Sequence, residues 1–196
     1  MSGEGLQDRR ERREELAAAL RAVHARIDRA MALAGREDEV GLVVVTKYFP
    51  AGDVDLLAEL GVRDIGENRD QEARDKVGEL AHRDQLRVHF IGQLQSNKAG
   101  SVAQYAEVVQ SVDRAKVARA LDRGASVAGR ILDVTVQVSL EATHGRGGVA
   151  PGDALALADL VAECPSLRLR GVMAVAPLGA DPAPAFAALR AVGERI

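Results

Sequence analysis

The sequence predicts an α/β protein built on a parallel sheet, of the (β/α)8-barrel kind. Two observations carry this. Helical and strand patterns alternate strictly along the chain, which argues for crossover-connected parallel strands. The strand segments are short, apolar and β-branched, as in residues 41–46, Gly-Leu-Val-Val-Val-Thr, which suits strands buried on both faces. A third observation separates the barrel from a dinucleotide-binding open sheet: no Gly-x-Gly-x-x-Gly follows the first strand.

Residues 8–34 open the chain as one helix. Leu16, Leu20, Val23, Ile27, Ala30 and Ala34 recur at three- to four-residue spacing, and Gly35 stops the helix. Its Arg/Glu cluster reads as a solvated face with i,i+4 pairs. The first strand covers 41–46. Pro50 punctuates, and Val54, Leu57 and Ala58 mark a short helix ending near Gly61. The second strand is 62–65, followed by a helix over 69–81 with Ala73, Val77, Leu80 and Ala81 on one face. Then come a strand over 87–91, a helix over 98–106 and a strand over 107–111. Asp113 is read as the N-cap of a helix running to about Val127. A fifth strand covers 133–139, and a Gly-rich loop leads to a helix over 151–164. The sixth strand is 169–175, and a last helix runs over 184–196.

Residues 1–35 are therefore expected to be an N-terminal helix packing on the barrel, and residues 36–196 a partial barrel. Eight βα units need about 240 residues, near the usual ~250 for this barrel. The 196 residues accommodate six strands, so two βα units are expected to lie outside them. The first and sixth strands are expected to be sheet edges.

Composition narrows the function. Hydrophobic residues make up 47% and charged residues 28%, a globular balance. A net charge of -3 argues against a dedicated nucleic-acid binder. The single cysteine, Cys164, excludes an internal disulfide and a CxxC zinc ribbon. No apolar run approaches a membrane span, and the N-terminus lacks a signal-peptide core, so a cytoplasmic protein is expected. Of 26 basic residues only four are lysines: Lys47, Lys76, Lys98 and Lys116. Where arginine serves as the general surface cation, each lysine needs a local reason.

In parallel α/β folds functional groups collect at the C-terminal ends of strands. Lys47 stands there, directly after an apolar run. An amine held over an apolar mouth is partly desolvated and can attack a carbonyl to form a Schiff base. The competing reading is a strand-end lysine that snorkels to solvent. Asn68 follows the second strand and reads either as a ligand hydrogen-bonder or as a helix cap. Glu67 reads as well as a solvated loop charge. His89 is expected to be a satisfied core histidine, since no second ligand stands at metal spacing. Ser111 and Asp113 read as a strand end and a cap. Gly145-Arg146-Gly147-Gly148 is either a phosphate cradle or, in preference, a flexible βα loop.

Taken together, Val43-Val-Val-Thr-Lys47, Gly66-Glu-Asn68 with Gln71-Glu72, His89 through Lys98, Gln110-Ser-Val-Asp-Arg114 and Leu169 through Ala174 resemble the YggS/PROSC family of pyridoxal-phosphate-binding (PLP homeostasis) proteins. The likeness spans residues 8–177. It implies a TIM barrel of the fold-type III PLP class, like the N-terminal domain of alanine racemase. It implies that Lys47 carries pyridoxal 5'-phosphate as an aldimine, with Asn68 near the cofactor and Ser111 and Met173 at strand ends facing the same mouth. The implied role is to bind PLP and deliver or buffer it, with PLP-dependent apo-enzymes as partners and no established turnover. Family members carry further Ser/Gly and Arg-Ile-Gly-Thr segments that bind the cofactor phosphate and face its ring nitrogen. These are not found within the 196 residues. Two alternatives stand beside this reading: a PLP-dependent amino-acid racemase or lyase, and a barrel fragment without cofactor function.

Overall fold

The computed structural model describes the backbone of residues 3–140 and 147–196, with side chains from residue 5 onward. The elements alternate as predicted: α1 (Gly3–Ala34), β1 (Val44–Val45), α2 (Ala51–Glu59), β2 (Asp64–Glu67), α3 (Asp70–Glu79), β3 (Arg87–Phe90), α4 (Ala99–Tyr105), β4 (Val108–Val112), α5 (Ala115–Val127), β5 (Leu132–Gln137), α6 (Ala154–Ala162), β6 (Leu167–Met173) and α7 (Pro182–Gly193). A short 3-10 turn at Arg83–Gln85 precedes β3.

All six strands are parallel and stand in sequence order, β1 to β6. A sheet in which each strand pairs with the next, and every crossover helix covers one face, is the wall of a barrel. Among the described residues β1 and β6 pair on one side only, as expected for edge strands. The first strand is shorter than the apolar run that predicted it, because only one neighbour holds it. The ladder nonetheless runs one residue on, through the Thr46 N–H to the Gly66 carbonyl at 3.0 Å. Register shifts in the β4–β5 and β5–β6 pairings lie between Val109 and Val112 and between Val134 and Val136. Such irregularities increase local twist and bend.

The core lies between sheet and helices. Ile65, Val88, Phe90, Val109, Leu132 and Val134 point outward from the sheet and meet Val54, Ala73, Val102, Val117 and Leu121 from the helices. Burying each such branched side chain contributes roughly 1.5–3 kcal/mol. Small residues let the layers approach closely. A methyl group at Gly124 of α5 would stand 2.9 Å from the Gly100 Cα of α4.

The Arg/Glu cluster of α1 differs in part from its reading as a solvated face. Arg10 does pair with Glu14 at i,i+4. Arg9 and Arg12 instead reach across to α2, to Glu59 at 2.6 Å and Asp53 at 2.7 Å. These pairs, with Leu16 and Leu20 against the core, fasten the helix to the sheet.

The inward face of the sheet carries a polar layer. His89 is nearly buried, with Nε2 at 2.8 Å from Asp64 Oδ1 and Nδ1 at 2.9 Å from the Gln110 amide. Arg87 donates to the same Asp64 oxygen at 2.7 Å. His89 is thus the satisfied core histidine its mid-strand position implied, and no cluster of three metal-ligating side chains occurs among the described residues. Burial pushes its imidazole below the ordinary range, against the opposing pull of Asp64. For Asp64, burial alone would raise the carboxyl, but hydrogen bonds from His89 and Arg87 outweigh it and hold it low.

A pH dependence follows. The folded state prefers neutral His89, whereas the unfolded chain takes up a proton near pH ~6.5. Stability is therefore present above that value and falls as pH drops below it. Urea midpoints at pH 7.5 and 5.5 should show a drop that is reduced in His89→Gln. An equal drop in both proteins would refute this.

Candidate functional site: the C-terminal mouth of the sheet

Lys47 stands just past β1, and the chain turns on it. The Phe49 N–H donates to the Thr46 carbonyl at 3.0 Å, which makes Lys47 and Tyr48 the centre of a tight turn. Tyr48 has φ +69°, the only positive value at a non-glycine residue among those described. A positive φ at the third residue belongs to the type II turn, where glycine is usual. A side chain there costs about 1–2 kcal/mol. Such strain, held in place by surrounding structure, is characteristic of functional positions.

The four lysines now receive separate explanations. Lys76 of α3 is 7% exposed and pairs with Glu67, 0% exposed, at 2.8 Å. Lys98 lies 3.8 Å from Asp70. Lys116 is exposed on α5. Lys47 is half-buried, and its Nζ lies 5.7 Å from the centre of the Tyr48 ring. Arg69 approaches the same ring at 5.3 Å. Lys98 and Lys116 are exposed; of the two lysines that are not, a buried ion pair accounts for Lys76, whereas Lys47 stands at the strand end.

Glu67 corrects the expectation of a solvated loop charge. It ends β2 and points to the helix side, where Oε1 accepts from Thr46 Oγ1 at 2.6 Å and from Lys76 Nζ at 2.8 Å. Its Oε2 meets no hydrogen-bond partner among the described residues. Lys76 Nζ also donates to the Thr46 carbonyl at 2.8 Å. Glu72 of α3 accepts the Tyr48 N–H at 2.5 Å, and this bond, more than the nearby Lys76 charge, holds its carboxyl below the usual range.

Asn68 follows β2 directly. Continuing the pairing of Val45 with Gly66, it stands level with Lys47 at the mouth. It does not cap α3: the N-cap position is Arg69, with no side-chain cap bond. Its backbone is pressed against Gly92 after β3. A methyl group there would lie 2.0 Å from the Asn68 carbonyl oxygen and 2.9 Å from its side-chain oxygen.

Ser111 lies in β4, one residue before its end, and is 1% exposed. Its Oγ meets no hydrogen-bond partner among the described residues. Met173 is half-buried at the last position of β6, level with Gln137. Asp113 does not cap α5; that position is Arg114, and the Asp113 carboxylate pairs with the Arg114 guanidinium. Of the Gly-rich loop, Gly145 and Arg146 lie outside the described residues. Gly147 runs beside Asp113 and Gln93, and its carbonyl accepts from the Gln137 amide at 2.8 Å. Gly148 has φ +136° and no room for a side chain, since a methyl group would meet the Ser139 nitrogen at 2.5 Å. This loop end therefore returns across the mouth beside β3, β4 and β5.

Lys47, Asn68 and Met173 thus stand at strand ends, with Ser111 buried close behind. Sequence reasoning missed Glu67, Glu72 and Lys76 as neighbours of Lys47. The signal was present: Lys76 was one of four lysines, and it lies four residues after Glu72 on one helix face.

Comparison with known proteins places this arrangement. Residues 18–194 match the family model described as alanine racemase, N-terminal domain. The pyridoxal phosphate homeostasis protein of Mycobacterium tuberculosis is 39% identical over 205 residues, covering 95% of this chain and 80% of that protein. The chain belongs to this family. Its relative in Corynebacterium glutamicum, of the same name, is 42% identical over 178 residues, covering 87% of this chain and 79% of that one. Among solved structures, PipY of Synechococcus elongatus PCC7942, with PLP bound, superposes with a TM-score of 0.74 at 33% identity, covering 86% of this chain and 80% of that one. A Clostridium difficile alanine racemase, at 14% identity and TM-score 0.65, covers 81% of this chain and 44% of that one and shows the shared fold. The predicted fold-type III barrel and the family resemblance are both upheld. Among the described residues no helix is long and apolar enough to cross a membrane.

Proposed function

We propose that this chain binds pyridoxal 5'-phosphate through Lys47 and holds it for delivery or buffering, as a PLP homeostasis protein of the cytoplasm. The observation that carries the proposal is Lys47 itself. It is a half-buried amine at the mouth of a parallel sheet, set in a strained turn. A PLP-bound relative with 33% identity supports it, as do relatives named for PLP homeostasis.

The residues fit such a cofactor. A primary amine suits its aldehyde, and Asn68 offers an amide from the end of the neighbouring strand, β2. Ser111 Oγ is a buried hydroxyl with no hydrogen-bond partner among the described residues, close to the end of β4. Met173 supplies polarizable apolar surface at the end of β6. When bound, the cofactor supplies an electron sink, while the protein decides what reaches it.

One of the chain's two tyrosines is withdrawn from the mouth. Tyr105 is buried among the core residues, and burial pushes its phenol well above the usual range, so it serves no proton at the mouth. PLP-dependent apo-enzymes are the proposed recipients.

Titration of the purified chain with PLP should produce a visible absorbance band of a lysine-linked cofactor. Lys47→Ala should remove it essentially completely, while Lys98→Ala should leave it in place. An unchanged band in Lys47→Ala would reject the proposal.

A further inference from the structure

Resting on the proposed cofactor role of Lys47, we infer that Lys76 and Glu72 of α3 are positioning residues that fix the backbone on both sides of that lysine. The peptide before Lys47 is held at its carbonyl: Lys76 Nζ donates to Thr46 O at 2.8 Å. The peptide after it is held at its amide: Glu72 Oε1 accepts the Tyr48 N–H at 2.5 Å. Two side chains one helical turn apart thereby grip the two ends of one residue. Between the grips lies the turn with Tyr48 at φ +69°, a conformation a tyrosine does not keep unless something holds it.

The chemistry of Lys76 supports a directional role. An ammonium group has three N–H donors. Here it faces three oxygens: Thr46 O and Glu67 Oε1 at 2.8 Å each, and Glu72 Oε1 at 3.5 Å. A buried ion pair is a weak means of adding stability, because a well-packed apolar pair of similar volume does as well. An apolar pair cannot donate to the Thr46 carbonyl. The ion pair is retained, on this account, because it aims a donor at the backbone that carries Lys47. Glu67 completes the grip by accepting from Thr46 Oγ1, which ties the end of β1 to β2.

The test uses the full chain with two variants, Glu72→Ala and the apolar pair Lys76→Met with Glu67→Met. The first removes a half-exposed side chain and leaves the buried pair intact, so it should fold even if the double variant does not. Without cofactor, amide hydrogen exchange at Tyr48 and Phe49 should quicken at least tenfold in each folded variant, while β4 amides stay protected. With PLP, each should still develop the absorbance band, because Lys47 is intact. The circular dichroism of that band should fall at least threefold, because the cofactor is no longer held in one orientation. Unaltered exchange and dichroism in folded Glu72→Ala would overturn the inference while leaving the cofactor reading intact. If the unaltered chain itself gains no band with PLP, both fall together.

Discussion

Lys76→Met is expected to destabilise the fold by about 3–5 kcal/mol, the usual cost of removing one partner from a buried ion pair. The magnitude rests on burial. Lys76 and Glu67 are 7% and 0% exposed, and one carboxylate oxygen of Glu67 already lacks a hydrogen-bond partner among the described residues. Removing the ammonium strips Glu67 Oε1 of its charged donor and leaves Thr46 Oγ1 as its remaining partner. The Thr46 carbonyl keeps the Phe49 N–H but loses its second donor. For a chain of this size a loss of 1 kcal/mol lowers the melting temperature by roughly 2–4 °C. Thermal unfolding of Lys76→Met should therefore shift down by about 6–20 °C. Adding Glu67→Met should recover most of it, since the uncompensated charge is then gone. A single variant that melts within 2 °C of the parent would show that the pair carries little.

Gly92→Ala should damage the mouth more than the usual addition of one methyl group. The new methyl would stand 2.0 Å from the Asn68 carbonyl oxygen and 2.8 Å from its carbonyl carbon. Those are backbone atoms, which cannot swing aside as the end of a long side chain can. The strand ends must separate, and overpacking of this kind costs about 1–3 kcal/mol. The displacement falls on Asn68, so cofactor affinity should drop together with stability. Denaturant melts and PLP titration measure the two effects. Gly78→Ala is the control: it lies in α3, with nothing within 4 Å of the added methyl group. There alanine should be neutral or slightly stabilising, because glycine is the poorer helix former by about 1 kcal/mol. Equal behaviour of the two variants would contradict the assignment of Gly92 as a contact residue.

The contrast between what was legible in the sequence and what was not follows the range of the forces involved. Strand and helix positions came from local periodicity, and the six strands overlap the segments predicted for them, although the second is displaced from 62–65 to Asp64–Glu67. Lys47 was legible because a lone lysine after Val43-Val-Val-Thr is out of keeping with an arginine-rich chain. Glu67 was misread because its environment is set by a lysine nine residues later, which reaches it only after α3 folds back on the sheet. Asp113 looked like a cap by position alone, yet its carboxylate pairs with the neighbouring arginine instead. The tight approach of Gly92 to Asn68 joins two strand ends, and no pattern within either segment encodes it. The positive φ of Tyr48 was equally hidden, since a tyrosine gives no warning of a turn that glycine usually fills.

The central claim is that Lys47, among four lysines, is the cofactor's attachment point. Borohydride reduction of the PLP-treated chain, followed by peptide mapping, tests it most directly. The account predicts one pyridoxyl adduct, on the peptide containing Lys47. Labelling that instead follows solvent exposure, with adducts on Lys98 and Lys116 equal to or greater than that on Lys47, would contradict it.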